Sequence, residues 1–402
     1  MTRKGATATR RLFSPIFMAL RRDWQPAVTV LDALGSMGRF GAEAGVRIDL
    51  LRTVGVRHVW QRRQQASEAA RLGAAGVYAR IWRAAAHDVG AELIDLSEGF
   101  FEVRLGAQRT RMWNHWVMVD DLATMRVALQ KTLVHRLLTA AGLPVPQHVP
   151  FEAEDLSPAL AYLEEGDGPF VVKPVGASGG LSITSGIRTP SQLRRARLRA
   201  RLAGDLLMEL QVPGDNYRFL FLDGELLDVV RRRPPTVTGD GQAEIVELIA
   251  RENRHRLAVA AGSRPQLLLI DLDAIFTLQN AGLTLASIPA AGARVPVKTV
   301  INQNGPEDNE SVRGGVSEAL VADAALAARV TGVRLAGIDL ITPDPSVGLA
   351  QAGGAVLEVN SPPGLHYHYE IGNPHEGLPV ATPILRELLE LEPMFPLIDF
   401  DG

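Results

Sequence analysis

The sequence predicts a protein of mixed α/β or α+β class with more than one domain. Its 402 residues are 46% hydrophobic and 22% charged, which is ordinary globular composition with room for two or three domains. Strand-like and helix-like stretches alternate along most of the chain, and no internal repeat is visible. This pattern favours layered sheets and helices over a solenoid or a helix bundle.

Composition excludes several classes of function. A net charge of -3 argues against general nucleic-acid binding, which needs a basic face. The absence of cysteine excludes disulfides, thiolate nucleophiles and Cys-ligated zinc, and it is compatible with a cytoplasmic enzyme. No apolar run approaches the roughly 18 residues of a spanning helix. The basic start "MTRKGATATRRLFSPIFMALRRDW" favours a flexible arm or first helix, with a targeting or membrane-surface segment as the alternative.

The first part of the chain predicts a small α/β unit. "AVTVLDA" reads as a strand, and the glycines that follow it favour a turn into a helix, because their spacing is not that of a dinucleotide-binding loop. Next come a helix over 61–89, a short strand in "ELIDL" and a hairpin in "FFEVRLGAQRTRMW". Apolar residues at helical spacing predict a single helix over 120–141.

The second part predicts further strands and helices. Strands are expected in "GPFVVKPVGASGGLSITSGI", "LLMELQ", "YRFLFLDGELLDVVRRRP" and "LTLASIPAAGARVPVKTVI". Helices are expected in "LRRARLRARLA", "AEIVELIARENRHRLA", "SEALVADAALAARVTG" and "PVATPILRELLEL". "RLAGIDLIT" and "AVLEVN" are expected to pair as neighbouring strands.

Polar side chains interrupt two of these apolar strands. Because strand side chains alternate between faces, Val356, Glu358 and Asn360 are expected to share one face. If the strands pair, Asp339 lies opposite the Glu358–Asn360 end. Carboxylate and amide oxygens suit a hard cation, Mg²⁺ above all. The alternative is that each acid forms a salt bridge with an arginine.

Lysine is rare in this chain, and one of its lysines precedes a glycine loop. Only four of 42 basic residues are lysines: Lys4, Lys131, Lys173 and Lys298. Lys173 ends the strand before "GASGGLS", whose backbone N–H groups and hydroxyls can close over phosphates. A surviving lysine indicates a site that requires a compact ammonium on a flexible stem.

Taken in order, these segments resemble the ATP-grasp superfamily. The resemblance covers about residues 119 to 380 and rests on "QKTLVHRLLTAAGLPVP", "FVVKPVGASGGLSI", "LLMELQVPGDNYRFLFLDGELLDVVRRRPPTVTGDG", "AGIDLI" and "VLEVNSPPG". It is strongest to the ATP-grasp segments of cyanophycin synthetases and bifunctional glutathione synthetases. It implies two α+β subdomains that grip ATP, at 119–207 and 208–402, after a pre-ATP-grasp α/β domain at 1–118.

The resemblance also implies roles for particular residues. Phosphate contacts are expected from Lys131, Lys173 and the lid loop residues Ser178, Gly179, Gly180 and Ser182, where Ser182 replaces a usual glycine. Adenine and ribose contacts are expected from Glu209, Val212, Asp215 and Asn216. Catalytic contacts near the transferred phosphate are expected from Arg218, Lys298 and Asn302. The magnesium ligands are expected to be Asp339, Glu358 and Asn360, with Mn²⁺ as an alternative ion.

The activity that the resemblance implies is an ATP-dependent carboxylate–amine ligase. Such an enzyme makes an acyl phosphate, which an amine converts to an amide or peptide, releasing ADP and phosphate. An ATP-grasp kinase and a non-catalytic ATP-binding module are the alternatives. Its partners are expected to be small amino acids or peptides, with a homodimer as the usual oligomeric expectation.

Two segments depart from the family pattern. "INQNGPEDNE" and "HYHYE" differ from the usual acceptor-side sequences, so the substrate is expected to differ from that of either relative. His366, His368 and Glu370 alternate on a possible strand, which leaves a transition-metal site as a weak alternative to substrate contact or packing.

Overall fold

The structure, a computed structural model, describes residues 68–175, 182–200, 205–259 and 266–391. The basic start, the predicted strand at 27–33 and its glycine turn lie outside these ranges, as does most of the predicted lid loop. Over the described ranges the strands form sheets of three, four and five strands and one two-stranded ribbon.

The first described unit is a helix and a small sheet. Helix α1 spans Glu68–Val89, and strands β1, β2 and β3 span Glu92–Asp95, Phe100–Leu105 and Gln108–Trp113. The strands pair antiparallel in the order β1-β2-β3. The predicted strand and hairpin are therefore confirmed, and the predicted helix is confirmed from residue 68 onward.

The helix predicted over 120–141 is wrong in one respect, because it is two helices. Helix α2 spans Leu122–Leu129 and α3 spans Lys131–Ala140. Gln130 between them leaves helical backbone, with φ -94° and ψ 85°. The break starts a new helix at Lys131, and the side chain of Lys131 is buried.

The four-stranded sheet follows. Its elements are β4 at His148–Phe151, α4 at Ser157–Glu165, β5 at Phe170–Pro174, β6 at Thr184–Ile187, α5 at Pro190–Ala200 and β7 at Leu206–Leu210. The strand order is β4-β7-β5-β6. Residues 211–214 lead directly into the next sheet, and Gly214 there has φ +117° and lies against the backbone of Thr342 and Pro343. An added Cβ at Gly214 would lie 2.3 Å from a backbone atom, so this close approach requires glycine.

The chain then enters the five-stranded sheet and leaves it again. Strands β8 and β9 span Asp215–Leu222 and Glu225–Arg232, followed by β10 at Thr236–Thr238, α6 at Ile245–Val259, α7 at Leu272–Asn280 and β11 at Arg294–Pro296. Helix α7 was not predicted. Residues 282–300 were predicted to supply several strands but form only β11, because Pro289 and Gly292 (φ +80°) interrupt the ladder.

The five-stranded sheet is completed by the last third of the chain. Strand β12 spans Asn309–Ser311, α8 Glu318–Thr331, β13 Leu335–Thr342, α9 Leu349–Ala352, β14 Ala355–Asn360 and α10 Ala381–Glu390. The order is β12-β9-β8-β13-β14, and every neighbouring pair is antiparallel. Gly332 ends α8 in left-handed backbone, which glycine adopts without strain.

Three apolar cores hold these layers together. One packs α8 and α3 against one face of the five-stranded sheet, through residues such as Phe219, Ile338 and Val359. A second packs α1, β2 and α10 near one end of the opposite face, at Leu220 and Leu335. The third joins the four-stranded sheet to 237–297, so it crosses the predicted boundary at 207; the domain boundaries themselves stay predictions. The other end of the opposite face of the five-stranded sheet carries the polar residues described next.

In the described residues, no helix is both long enough and apolar enough to cross a membrane.

Candidate functional site

Two carboxylates lie opposite each other on neighbouring strands. Asp339 of β13 pairs in register with Glu358 of β14, as predicted. The predicted shared face of Val356 and Glu358 is wrong, because the register shifts between Asp339 and Leu340 and makes Leu357 an extra residue in β14. Val356 and Val359 consequently both pack in the core, while Glu358 faces the site.

Arg218 of β8 lies in line with Asp339 and Glu358, so that the three side chains form a charged row across three neighbouring strands. It lies directly opposite Asp339 in the register and donates to both of its carboxylate oxygens, from Nε and from a terminal nitrogen at 2.6 Å. Burial alone would raise the pKa of Asp339, but the charge and hydrogen bonds of Arg218 outweigh it and hold that pKa below its usual range. Asp339 is therefore ionised, and the predicted alternative of an arginine salt bridge is observed for this acid.

Asn360 joins the two acids. Its Nδ2 lies 3.2 Å from Asp339 Oδ2 and 3.4 Å from Glu358 Oε1. A half-turn of the amide would place its oxygen there instead. The three predicted metal ligands thus converge on one point at the end of two strands.

This donor set fits a hard cation only with the amide included. In the described ranges, no three His, Cys, Asp or Glu side chains come together closely enough to hold a metal. A metal at this point therefore depends on Asn360 as the third protein donor. A carboxylate offers about four lone-pair positions, so Asp339 can bind Arg218 and still have acceptor capacity.

Lys131 approaches the same carboxylates from helix α3. Its Nζ lies 3.6 Å from Glu358 Oε2, and the residue is buried at the first turn of the helix. Four residues on, His135 Nε2 lies 3.2 Å from the carbonyl oxygen of Leu357, the extra residue of β14. Helix α3 is thus anchored to the strand that carries Glu358, and this anchor places an ammonium at the site.

Arg232 of β9 is a site residue that the sequence analysis missed. It lies opposite Asn216 in the register, which puts it on the same sheet face as Arg218. It is 4% exposed, its Nε has no hydrogen-bond partner within the described structure, and its guanidinium lies 4.0 Å from the centroid of the Tyr367 ring. Burial lowers the pKa of Arg232. Arginine nevertheless stays charged in proteins, so Arg232 is a buried cation suited to bind an anion.

The predicted nucleotide residues on the four-stranded sheet, Lys173 and Glu209, lie on the face that is turned away from the core formed by residues such as Val172 and Met208. Lys173 Nζ and Glu209 Oε1 are 2.6 Å apart, and both side chains are almost fully buried. Val212 lies in the connection between the two sheets, and its contact with adenine stays a prediction. Asn216 shares the face of Arg232, whereas Asp215 points to the other face, 3.8 Å from Arg231.

Lys298 does not join the carboxylate row but forms an ion pair of its own. Its Nζ lies 2.7 Å from Asp271 Oδ2, and Arg199 of α5 reaches the same oxygen at 2.8 Å. Lys298 is 2% exposed. Asn302 lies in a short 3₁₀ turn, Ile301–Gln303, whose first carbonyl is 3.5 Å from Arg232, so this segment borders the site.

Ser182 is the part of the predicted lid that the structure describes. It is buried and has φ +61°, a left-handed conformation that glycine adopts without strain. This explains why a glycine is usual at this position. Ser178, Gly179 and Gly180 lie outside the described residues.

The two late histidines do not lie on a strand. Leu365–His368 is a 3₁₀ turn, so the alternation that suggested a transition-metal site is absent. His368 is fully buried, and its Nδ1 lies 2.7 Å from Asp228, which also accepts a 2.7 Å hydrogen bond from Ser311. His366 lies 2.9 Å from the Tyr78 hydroxyl. His368 is therefore a packed interior residue, which was one of the predicted alternatives to a metal site.

Comparisons with known proteins agree with this fold. The chain is 28% identical over 322 residues to cyanophycin synthetase of Trichormus variabilis, covering 78% of this chain and 35% of the relative. It is 28% identical over 285 residues to the bifunctional glutathione biosynthesis protein of Enterococcus faecalis, covering 69% and 37%. The chain thus spans about a third of the length of these curated relatives. No family model matches.

A solved structure also agrees with the fold described above. The bifunctional glutathione synthetase of Pasteurella multocida superposes with a TM-score of 0.50 and 24% identity, over 77% of this chain and 44% of that one. The match establishes a common architecture for the described sheets and helices.

Proposed function

The chain is an ATP-grasp protein, and from that premise we propose that it is an ATP-dependent carboxylate–amine ligase. The observation that carries the proposal is the charged row at the end of the five-stranded sheet. Lys131, Arg218 and Arg232 face Asp339 and Glu358, so cations exceed carboxylates by one on a largely buried surface. Such a surface favours a polyanion over a neutral ligand.

The chemistry that this surface supports is phosphoryl transfer to a carboxylate. A carboxylate oxygen attacks the terminal phosphorus of ATP, ADP leaves, and an acyl phosphate forms. An amine nitrogen then attacks the acyl carbon, the bond from carbon to the phosphate oxygen breaks, and the amine proton passes to phosphate or solvent. Both steps concentrate negative charge, so positioned cations lower the barrier.

Each residue of the row has a part in this scheme. Arg232, with no carboxylate of its own in the described structure, binds the transferred phosphate or the substrate carboxylate. Arg218 orients Asp339 through two hydrogen bonds. Asp339, Glu358 and Asn360 would hold the divalent ion, for which we propose Mg²⁺ with Mn²⁺ as an alternative. When bound, that ion supplies charge neutralisation for the phosphates.

The substrates are proposed to be small amino acids or peptides. The names of the relatives describe synthesis of cyanophycin and of glutathione. The chain matches only about a third of their lengths, so their particular substrates do not transfer to it.

The test is ADP release that depends on both substrates. The full chain is incubated with ATP, Mg²⁺ and pooled amino acids and short peptides, ADP is followed over time, and new amides are identified by mass. A ligase turns over repeatedly only when a carboxylate and an amine are both present, because without the amine the reaction stops at the acyl phosphate after a single turnover. Sustained ADP release with a carboxylate alone and no new amide would indicate the kinase, and ATP binding without any release would indicate the non-catalytic module.

A further inference from the structure

The bulge in β14 is bonded to two points outside its own sheet. Leu357, the extra residue, has no partner in the register with β13. Its carbonyl oxygen lies 3.2 Å from Nε2 of His135 in helix α3. The preceding residue, Val356, donates a 2.9 Å backbone hydrogen bond to the carbonyl of Pro144, in the loop after α3. Because β14 is the last strand in the described sheet, α3 and this loop cover its edge at the bulge.

The contact with Leu357 determines the state of the His135 ring. A carbonyl oxygen only accepts hydrogen bonds, so Nε2 of His135 carries a hydrogen and donates it. Burial, to which the charge of Lys173 adds, lowers the pKa of His135 to about 4, so the ring is neutral near pH 7. A neutral imidazole has one N–H group, and Nδ1 is therefore an acceptor, without a hydrogen-bond partner among the described residues.

Packing alone does not explain a histidine at this position. His135 is 1% exposed, and its neighbours on the buried side of α3, Val134 and Leu138, are apolar core residues. A buried ring nitrogen without a partner costs stability, and an apolar side chain of similar size would avoid that cost. Such a side chain could not donate to the Leu357 carbonyl. The hydrogen bond to the bulge therefore accounts for the histidine.

The residue after the bulge is a proposed metal ligand. Glu358 lies opposite Asp339 in the register, and its Oε1 is 3.4 Å from Asn360 Nδ2. Because strand side chains alternate between faces, a change in how Leu357 is accommodated would turn Glu358 away from this point. Helix α3 thus contacts the acid twice, through the carbonyl before it and through Lys131, whose Nζ lies 3.6 Å from Glu358 Oε2.

We propose that His135 is a positioning residue for the metal site. It holds the Leu357 carbonyl from helix α3 and thereby keeps Glu358 turned toward the other two proposed ligands. This inference rests on the proposed function, which supplies the divalent ion. His135 acts through β14 and contacts neither the ion nor the substrate. Removing a hydrogen bond that orients a metal ligand costs about 10- to 100-fold in metal affinity in known metal sites.

The test uses two amides that imitate the two nitrogens of the ring. In His135→Gln the side-chain amide nitrogen can take the place of Nε2, whereas in His135→Asn it can take only that of Nδ1. Binding of Mn²⁺ to the full chain with a nonhydrolysable ATP analogue is measured by electron paramagnetic resonance. His135→Asn and His135→Leu are expected to weaken Mn²⁺ binding about 10-fold, and His135→Gln is expected to retain most of the affinity.

A second measurement follows the bulge without any metal. Amide hydrogen exchange over 355–360 is expected to be faster in the Asn and Leu variants than in the unchanged chain, and nearly unchanged in His135→Gln. His148→Gln is the matched control. The His148 ring lies 5.0 Å from that of His135, but its Nδ1 is 2.9 Å from the Pro146 carbonyl instead of β14. It is expected to change neither Mn²⁺ affinity nor exchange over 355–360.

The remaining outcomes separate this inference from the proposed function. If the Asn and Gln variants bind Mn²⁺ alike, or if exchange rises while Mn²⁺ affinity stays constant, His135 does not position Glu358 and the inference is overturned. If none of the variants changes the exchange, the bond does not hold the bulge, which also overturns it. If the unchanged chain binds no Mn²⁺ beside the analogue, the proposed function loses its metal site, whereas faster exchange in the Asn and Leu variants would still support the bond to the bulge.

Discussion

The two sheets bury their cations in different ways. On the four-stranded sheet and its neighbours, Lys173 and Lys298 each lie within 2.7 Å of a carboxylate, Glu209 and Asp271 respectively. On the five-stranded sheet, Arg232 is equally buried, yet the described structure gives it the face of Tyr367 and a distant carbonyl instead of a carboxylate. The buried lysines in and near the four-stranded sheet are thus neutralised by carboxylates of the protein itself. The five-stranded sheet keeps one buried cation, Arg232, that has no such ion pair within the described structure.

This difference separates charges that hold the fold from charges that bind a ligand. A buried pair satisfies itself, and removing one partner leaves an uncompensated charge. A buried cation without a carboxylate is costly until an anion arrives, so it contributes to binding. The comparison therefore predicts loss of activity from changes at the five-stranded sheet and loss of stability from changes around Lys298.

The largest effect is expected at Glu358. Glu358→Gln keeps the size of the side chain but removes a charge that faces Lys131 and Asn360, and ADP release is expected to fall about 10³-fold. Circular dichroism should show an unchanged fold, because Glu358 is partly exposed. Asp344→Asn, in an exposed turn, serves as control. Full turnover of Glu358→Gln would remove Glu358 from the metal set.

A smaller loss is expected at Arg232. Arg232→Gln removes the buried cation, and kcat/KM for ADP release is expected to fall about 10²-fold. Arg232→Lys should recover part of the loss, because the charge returns without the planar fork. Arg231→Gln, on the opposite face with Glu310, is the matched control. If the Arg231 and Arg232 variants behave alike, the contrast between paired and unpaired cations fails.

Lys298 should affect stability more than chemistry. Lys298→Met leaves Asp271 with Arg199 alone, and urea unfolding is expected to show a loss of about 2–4 kcal/mol. The control Arg251→Met, which breaks an exposed ion pair with Asp240, should lower the free energy of unfolding by less than about 1 kcal/mol. If Lys298→Met instead keeps its stability and loses ADP release per folded molecule, Lys298 contacts phosphate as the resemblance implies.

The smallest effect is a pH dependence at Asp308. Burial raises the pKa of Asp308 to about 6, since Arg256 and Arg294 remain 4.0 and 3.9 Å away. The folded state therefore holds its proton at a higher pH than the unfolded chain does. Stability is expected to fall as pH rises from about 4 to about 6 and then to level off. In unfolding experiments, Asp308→Asn should remove this pH dependence, so that the loss of unfolding free energy between about pH 4 and about pH 6 becomes smaller by about 1–2 kcal/mol. An unchanged slope would contradict the raised pKa.

Local patterns in the sequence predicted the strands and the facing acids. Asp339 and Glu358 were placed opposite each other because alternation and an adjacent pair of strands are short-range features. Helix α7 was missed because no element was predicted between residues 259 and 282. The break at Gln130 was missed because apolar spacing continues across it.

The partners of buried charges could not be predicted in the same way. Arg232 is the middle one of three consecutive arginines, which the sequence alone does not distinguish. In the folded sheet, Arg231 and Arg233 pair with Glu310 on one face, whereas Arg232 lies on the other. The pairing of Lys298 joins residues 27 positions apart that belong to different elements. Such contacts are set by tertiary packing, and no periodicity reports them.

The extra residue in β14 decides which faces Glu358 and Val356 occupy. If Leu357 were paired like any other residue of the strand, Val356 and Glu358 would share a face, so that either the acid would turn into the hydrophobic layer beneath or the valine would turn out toward solvent. Removing Leu357 would instead make the two residues consecutive and leave them on opposite faces, as they are now. Inserting one residue into β13 between Asp339 and Leu340 would give Leu357 a partner, and such a chain would be expected to fold poorly or to lose the proposed activity, although every charged residue of the site remained in its sequence.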